Sequence, residues 1–272
     1  MMTSWQVVSE LWYWRSPAWV IVLLATFAYT LAAVTQPVTR RQITCFVIAA
    51  ATFLLALASP LAVLASRYSF SAHMMQHLLL LLIVPLCAIL AWPSSAAVAG
   101  DNVAQPPPVG TPALGWLAGV GAMWFWHVPV LCTASMQSSW VFAMQTCSLV
   151  AAGAAFWWPV FRPQLHRRMQ SHVAAAYLFS GCIGCSLLGI YITFSPVSVC
   201  PLYAAGGGAS TELMRLVHEQ WGLTHRLDQQ VGGLLMWVPA CMVYLGAILA
   251  TLSSWYHVPE RVGGASRYYA AE

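Results

Sequence analysis

The stretch SAHMMQHLLLLLIVP, residues 71–85, places two histidines four positions apart at the head of a long apolar run. Residues at i and i+4 lie on one face of a helix, with Cβ atoms about 5–6 Å apart. An imidazole that is removed from water needs partners for its nitrogens, because an unpaired buried polar group is costly. His73 and His77 are therefore predicted to act together on one face of a membrane helix.

The composition around this stretch is that of an integral membrane protein. Of the 272 residues, 60% are hydrophobic and only 7% are charged, whereas soluble domains carry roughly a quarter charged residues. A soluble chain of this make-up could not cover its own surface with polar groups. The formal net charge of +4 is small and scattered along the chain, which argues against nucleic acid as a partner.

The apolar runs predict an all-α bundle of seven transmembrane helices in a single domain, residues 1–272. A spanning helix needs about 20 mostly apolar residues, and seven segments meet this requirement. They lie at approximately 17–35, 43–65, 73–92, 112–131, 140–161, 173–194 and 231–254. Between the last two, ASTELMRLVHEQWG (209–222) has the amphipathic pattern of a short helix on a membrane surface.

The arginines predict the orientation of the bundle. Arg15, Arg67, Arg215 and Arg226 fall on one side of the predicted membrane, and the other side carries the larger set: Arg40, Arg41, Arg162, Arg167, Arg168, Arg261 and Arg267. By the positive-inside rule the larger set is cytoplasmic. The N-terminus is then outside and the C-terminus inside, in a multi-pass membrane protein.

This topology gathers the rare polar side chains near the outer surface. His73 and His77 open the third span, His127 ends the fourth, and Asp228 and Gln229 precede the seventh. Sulfur-containing side chains lie on the fourth, fifth and seventh spans, namely Met123 on the fourth, Met144 and Cys147 on the fifth and Met236 on the seventh. Histidine, carboxylate and sulfur donors are thus predicted to share one leaflet.

This donor set indicates a site for a soft metal ion. Neutral imidazole is the form that ligates metals, and the positive end of a helix dipole disfavours the imidazolium form. Imidazole combined with thioether or thiolate suits copper, especially Cu(I). We interpret His73, His77 and His127 as copper ligands, with the ion held stably or only in transit. Asp228 is interpreted as an acceptor for a ligand histidine's N–H, and the other supporting residues are Gln229, Met123, Met144, Cys147 and Met236.

Packing is the competing explanation for each of these residues. Methionines often fill gaps in a core, but ionisable groups inside a membrane are costly and usually functional. Cys182 and Cys185 form a C-x-x-C in the middle of the sixth span, among small residues that favour helix packing. A transient Cu(I) thiolate pair is the alternative there. Nearly all of the eight cysteines lie in apolar runs, so a disulfide framework is not expected.

Several blocks of the chain resemble the polytopic CtaG family over about residues 65–255. They are SAHMMQHLLLLLIVPLCAIL, WHVPVL, WVFAMQTCSLVAAGAAFWWPV, LLGIYITFSPVSVCPLYA and LDQQVGGLLMWVP. The most specific parts are the H-x-x-x-H of the third span and the D-Q-Q-x-G-G of the seventh. The resemblance implies a seven-span assembly factor for cytochrome c oxidase that is thought to act in copper delivery. It also implies His73, His77, His127 and Asp228 as the candidate copper groups.

At one position the chain departs from the family pattern. Many members have a histidine early in the fifth span, where this chain reads FAMQTCS with Thr146 at the matching position. Either Met144, Gln145 or Cys147 replaces that imidazole, or the site here has fewer ligands.

The sequence therefore favours a non-catalytic membrane assembly factor for a haem-copper oxidase. It would receive Cu(I) from a periplasmic donor and pass it to an oxidase subunit docked in the bilayer. The alternatives are a haem-binding cytochrome with His77 and His127 as axial ligands, a transporter or proton relay, and a metal-free structural subunit of an oxidase complex. His73 and His77 share one helix and cannot take opposite axial positions of a haem, which disfavours the first alternative.

Overall fold

The structure, a computed structural model, describes residues 11–93, 110–163, 168–204 and 215–256, and the regular structure within these ranges is entirely helical. The α-helices there are α1 (Ala18–Thr35), α2 (Arg40–Ala58), α3 (Pro60–Arg67), α4 (Phe70–Leu78), α5 (Val84–Ala91), α6 (Gly110–Trp126), α7 (Pro129–Gln137), α8 (Ser139–Phe161), α9 (Ser171–Phe194), α10 (Pro201–Ala204) and α11 (His225–Tyr256). Single π-helical turns occupy Leu79–Ile83 and Leu216–Gln220.

Six of the described helical segments are long and apolar enough to cross a membrane. They are α1, α2, the continuous segment Phe70–Ala91, α8, α9 and α11. Helices α6 and α7 together would form a seventh span, but the pair is bent by 76°. The predicted all-helical, multi-pass membrane fold is confirmed.

Two prolines interrupt predicted spans at the same end of the bundle. The predicted second span, 43–65, breaks at Ser59, whose side chain caps α3 by accepting the N–H of Leu61 at 3.1 Å. Pro60 has no N–H to continue the ladder of α2. The predicted fourth span, 112–131, ends its first helix at Trp126, because Val128 precedes Pro129 and adopts an extended conformation.

The seventh span starts earlier than the predicted residue 231. Helix α11 begins at His225, where the Thr224 hydroxyl accepts the N–H of Leu227 at 3.3 Å. The search for apolar residues excluded the polar start of this helix, which contains Asp228. Of the predicted amphipathic segment 209–222, the structure describes only residues 215–222, where Val217 is buried and Trp221 is half exposed. Arg167, Arg261 and Arg267 lie outside the described residues.

The segment Phe70–Ala91 lies at the centre of the bundle. In its most apolar 18-residue window 61% of the residues are buried, against 6% for α1. Helix α11 contacts both α4 and α9, and two adjacent glycines allow this close approach. A Cβ at Gly232 would overlap Phe70, and a Cβ at Gly233 would overlap Thr193. Small residues let membrane helices approach closely, so this pair fixes the depth of α11 between the third and sixth spans.

A π-helical turn lies directly after the two histidines. The N–H of Val84 bonds to the carbonyl of Leu79, five residues back. In a regular α-helix the ring of Pro85 would clash with the carbonyl of Leu81. The π turn removes this conflict, and the Leu81 carbonyl instead lies against Gly153 of α8. The central span therefore changes its helical register just below His77.

We expect Gly153→Ala to destabilise the protein by about 1–3 kcal/mol, the range for overpacking a well-packed interior. The new methyl group would overlap the Leu81 carbonyl oxygen and the Pro85 ring, neither of which can move aside easily. Thermal unfolding in detergent measures the effect. Gly246→Ala is the matched control, because nothing lies within 4 Å of a Cβ at that position. Equal unfolding temperatures for the two variants would contradict this packing.

Candidate metal centre

His73, His77 and His127 form a buried cluster at one end of the bundle. The ring centroids of His73 and His77 are 4.2 Å apart, and those of His77 and His127 are 5.1 Å apart. The three side chains are only 2%, 2% and 5% exposed. The i, i+4 spacing on α4 accounts for the first pair. His127 joins them because the chain turns between α6 and α7 at this residue.

The ring of His127 is fixed by a backbone bond and faces a sulfur atom. Its Nδ1 lies 2.5 Å from the Met123 carbonyl oxygen, and its Nε2 lies 3.1 Å from the Sδ of Met74. A carbonyl can only accept, so in the neutral ring Nδ1 carries the hydrogen and Nε2 presents a lone pair. Thioether sulfur is also an acceptor. Two electron-pair donors therefore face each other with no hydrogen between them.

Several other polar atoms of the cluster have no hydrogen-bond partner within the described part of the chain. They are Nε2 of His73, both ring nitrogens of His77, and Nε2 of Gln145. Gln145 is 1% exposed and its side chain lies beside the His77 ring. Because the large majority of buried polar atoms in proteins are bonded, this concentration of unbonded donors and acceptors makes the cluster the candidate site.

Asp228 anchors the helix that carries two of the histidines. The carboxylate is 2% exposed. It accepts the N–H of Phe70 at 2.6 Å, the N–H of Ser71 at 2.9 Å and the Ser69 hydroxyl at 3.0 Å. These groups form the first turn of α4, whose N–H groups have no partner within the helix, and the negative charge complements the helix dipole. Asp228 thus supports the site through the backbone of α4, and not through a histidine N–H as the sequence suggested.

Tyr203 of α10 closes the cluster on the side of His73. Its ring centroid lies 6.0 Å from that of His73 and 5.8 Å from that of Phe70. Its hydroxyl donates to the backbone carbonyl of Ala65. Burial, followed by the nearby Asp228 carboxylate, raises the pKa of Tyr203 well above its ordinary value. The phenol therefore stays neutral and holds α3, α4 and α10 together at this end.

The remaining predicted site residues divide into two groups. Met123 is 2% exposed and supports His127 through its carbonyl. Gln229 accepts the N–H of Val199 at 3.0 Å and so ties the segment after α9 to α11. Met236 is buried deeper along α11. Met144 and Cys147 lie on the exposed face of α8, away from the cluster, with Met144 65% exposed.

Sequence reasoning missed two features of this end of the molecule and left a third, Gln145, as one of three alternatives. Met74, which lies between the two histidines of α4 and was not among the candidate ligands, supplies the sulfur that faces His127. Gln145, which lies between Met144 and Thr146, is the residue of α8 that faces the histidines, whereas Thr146 is only partly buried. A disulfide joins Cys132 of α7 to Cys200, just before α10. Its partners are 68 residues apart in the sequence, and no local pattern marks such a pair.

The three rings do not yet share a common centre. Among the described residues, no group of three or more His, Cys, Asp and Glu side chains meets the requirements of a shared metal ion as it stands. The planes of His77 and His127 are at 89° to each other. Neither nitrogen of His77 has a well-formed hydrogen bond, so rotation of this ring towards His127 would cost little.

The fold and the site define an all-helical, multi-pass membrane protein with a buried cluster of histidine and methionine at one end of the bundle. The chain matches the family model of the cytochrome c oxidase caa3 assembly factor (Caa3_CtaG) over residues 19–257, and it belongs to that family. The resemblance found in the sequence is thereby confirmed. Membership makes an oxidase the partner of this protein and the lipid bilayer its surroundings. Neither a curated protein nor a solved structure matches the chain.

We expect Asp228→Ala to lower the free energy of unfolding, because it leaves two buried N–H groups of α4 unpaired at about 1–3 kcal/mol each. Asp228→Asn keeps an acceptor oxygen but loses the charge, so its effect should be smaller. Thermal unfolding in detergent compares these variants with Glu219→Ala, which removes an exposed carboxylate. An Asp228→Ala variant as stable as the Glu219→Ala control would show that the cap contributes little.

Proposed function

We propose that the protein binds Cu(I) at His77, His127 and Met74, with His73 beside them, and passes the ion to a subunit of a haem-copper oxidase. Assembly of the oxidase is the activity of the family, and copper is the part that this proposal adds. No bond is made or broken in a substrate, so the proposed role is non-catalytic.

The contact between His127 and Met74 carries the proposal. Bonds from a first-row metal to imidazole nitrogen and to sulfur are about 2.0 and about 2.3 Å long. Nε2 of His127 and Sδ of Met74 are 3.1 Å apart, close enough that both could bind one ion with bonds of these lengths. The unbonded nitrogens of His77 supply the next donor after a ring rotation. Imidazole and thioether together suit Cu(I) better than a hard cation.

The charge of this donor set is suited to transfer. Two imidazoles and a thioether are neutral, so the bound ion keeps its single positive charge in a buried site. Asp228 compensates for that charge from the N-terminus of the same helix. Neutral ligands release a metal more readily than thiolates, which must be deprotonated to bind. A delivery protein needs such a balance between holding the ion and giving it up.

The disulfide supports an extracytoplasmic position for the cluster. Cys132 follows His127 by one short helical stretch, and Cys200 precedes Tyr203, which contacts His73. Disulfides persist in oxidising compartments, including the bacterial periplasm. Arg40, Arg41 and Arg168 lie at the opposite end, as the positive-inside rule requires. We therefore propose that the N-terminus is outside, that the protein lies in a bacterial cytoplasmic membrane, and that a periplasmic donor supplies the copper.

The geometry disfavours a haem cytochrome. A haem with two axial histidines needs room for its macrocycle between the rings. Here the rings of His77 and His127 are in edge contact at 5.1 Å, and Met74 occupies the space at Nε2 of His127. Haem could enter only after repacking of the core at its most buried residues. An absorption spectrum without a Soret band is the expected result for the purified protein.

Copper titration tests the ligand assignment. The protein is purified in detergent without reductant and titrated anaerobically with Cu(I) against a chromophoric chelator. Met74→Leu conserves volume but removes the sulfur, and we expect at least about a tenfold loss of affinity, equivalent to about 1.4 kcal/mol. His77→Ala/His127→Ala should abolish binding at this site. Met144→Leu removes an exposed thioether of the same kind and should leave the affinity unchanged. Equal affinities for Met74→Leu and Met144→Leu would refute the role of Met74.

Oxidase assembly separates copper delivery from a purely structural role. In a strain that lacks the gene, we expect His127→Ala to accumulate normally in the membrane but to restore little oxidase activity or oxidase-bound copper. The Met144→Leu variant should restore both. A metal-free structural subunit would predict full restoration by His127→Ala, and that result would favour the structural alternative.

A further inference from the structure

Two thiols from different helices meet midway along the sixth and seventh spans. The Sγ of Cys182 on α9 lies 3.3 Å from the Sγ of Cys241 on α11, and the Ser186 hydroxyl lies 3.3 Å from the same sulfur. Cys185 points elsewhere and donates to the Met236 carbonyl at 3.2 Å. The two cysteines of the C-x-x-C therefore have different partners, and Cys182 contacts a residue 59 positions away.

We propose that Cys182 and Cys241 form a second soft-metal site, selective for a monovalent ion such as Cu(I) and separate from the histidine cluster. Thiolate and thioether sulfur are the ligands that soft ions such as Cu(I) prefer. The two sulfurs are already in contact without a covalent bond between them, since both cysteines are free thiols. The ion needs no large movement of either helix to reach both of them.

The number of ligands makes this pair selective. Binding is R–SH + R′–SH + Cu⁺ → R–S–Cu–S(H)R′ + H⁺, so one proton leaves for each ion bound, and no electron is transferred. The complex is neutral, which an apolar interior tolerates. A divalent ion could also reach neutrality by displacing both protons, but Zn²⁺ almost always takes four ligands, and two sulfurs meet here.

The packing of α9 on α11 holds the pair in place. A Cβ at Gly189 would overlap Trp237 of α11, so the two backbones approach closely and cannot slide. This interface is the most extensive one between helices in the described part of the bundle. The thiols are therefore preorganised, and they are only partly buried, so a partner in the bilayer can reach them from the side.

Sulfur side chains connect this pair with the histidine cluster. Met74, which faces His127, packs against Gly232 of α11. Met236 lies one turn further along α11, and its carbonyl holds the thiol of Cys185, one turn from Cys182. Soft donors thus follow one another from the end of the bundle towards its middle. The inference stands without the proposed function, because the thiol pair can bind an ion whether or not the histidines do.

Cu(I) titration of the full chain in detergent, without reductant so that the Cys132–Cys200 disulfide stays intact, tests the site. We expect two ions in the wild type and a thiolate-to-copper charge-transfer band in the ultraviolet. Cys182→Ser/Cys241→Ser should lose one ion and the band. Cys45→Ser/Cys147→Ser also removes two free thiols, on two other helices, and should keep both. If Cys182→Ser/Cys241→Ser keeps the charge-transfer band and binds as many ions as the Cys45→Ser/Cys147→Ser control, the proposal is overturned.

A second measurement does not depend on the folding of the serine variant. His77→Ala/His127→Ala should still bind one ion, and X-ray absorption should show only sulfur in its nearest shell. A nearest shell of nitrogen and oxygen would overturn the thiol site. Isolation of the protein with a Cys182–Cys241 disulfide and no bound metal would overturn it as well. If this histidine variant instead binds as much copper as the wild type, the proposed function fails while the thiol site stands.

Discussion

The bond between Asp228 and the first turn of α4 determines where the histidines lie. A carboxylate on the seventh span accepts two backbone N–H groups and a hydroxyl at the start of the third. The bond is buried, so water cannot replace it. It sets the height of α4 along α11, and with it the height of His73, His77 and Met74 relative to His127. The unbonded atoms of the cluster are a consequence of that register.

Apolar length predicted most of the fold, but it predicted the ends of the helices poorly. The runs correctly located the membrane helices, since nothing but a spanning helix accommodates them in a bilayer. Apolar length missed the breaks at Pro60 and Pro129, because a proline counts as apolar and yet ends a helix. It also began α11 at residue 231 and thus placed Asp228 outside the helix, although the first turn of α11 is polar and ordered by Thr224.

The histidines of the cluster were predictable from sequence, and the methionine that faces them was not. Spacing on one helix sufficed for His73 and His77. The choice among methionines depended on which face of each helix points inward, and helices that are apolar all round carry no such signal. Packing decides it: α8 presents Gln145 to His77 and turns Met144 outward. The pairing of Cys132 with Cys200 likewise depends on the approach of distant segments, which spacing cannot reveal.

The two proposed sites differ in the charge of their ligands, and this difference would favour movement of the ion from one site to the other. At the histidine cluster a monovalent ion keeps its charge and is balanced only by Asp228, so exchange is favoured. At Cys182 and Cys241 the ion displaces a proton and becomes part of a neutral unit, so retention is favoured, and more strongly as the pH rises and the proton is more easily lost. An ion would therefore pass from neutral donors at the end of the bundle to thiols in its middle. Its release there would require a returning proton or a partner with better sulfur ligands, and a membrane-embedded oxidase subunit with such ligands would be a suitable acceptor.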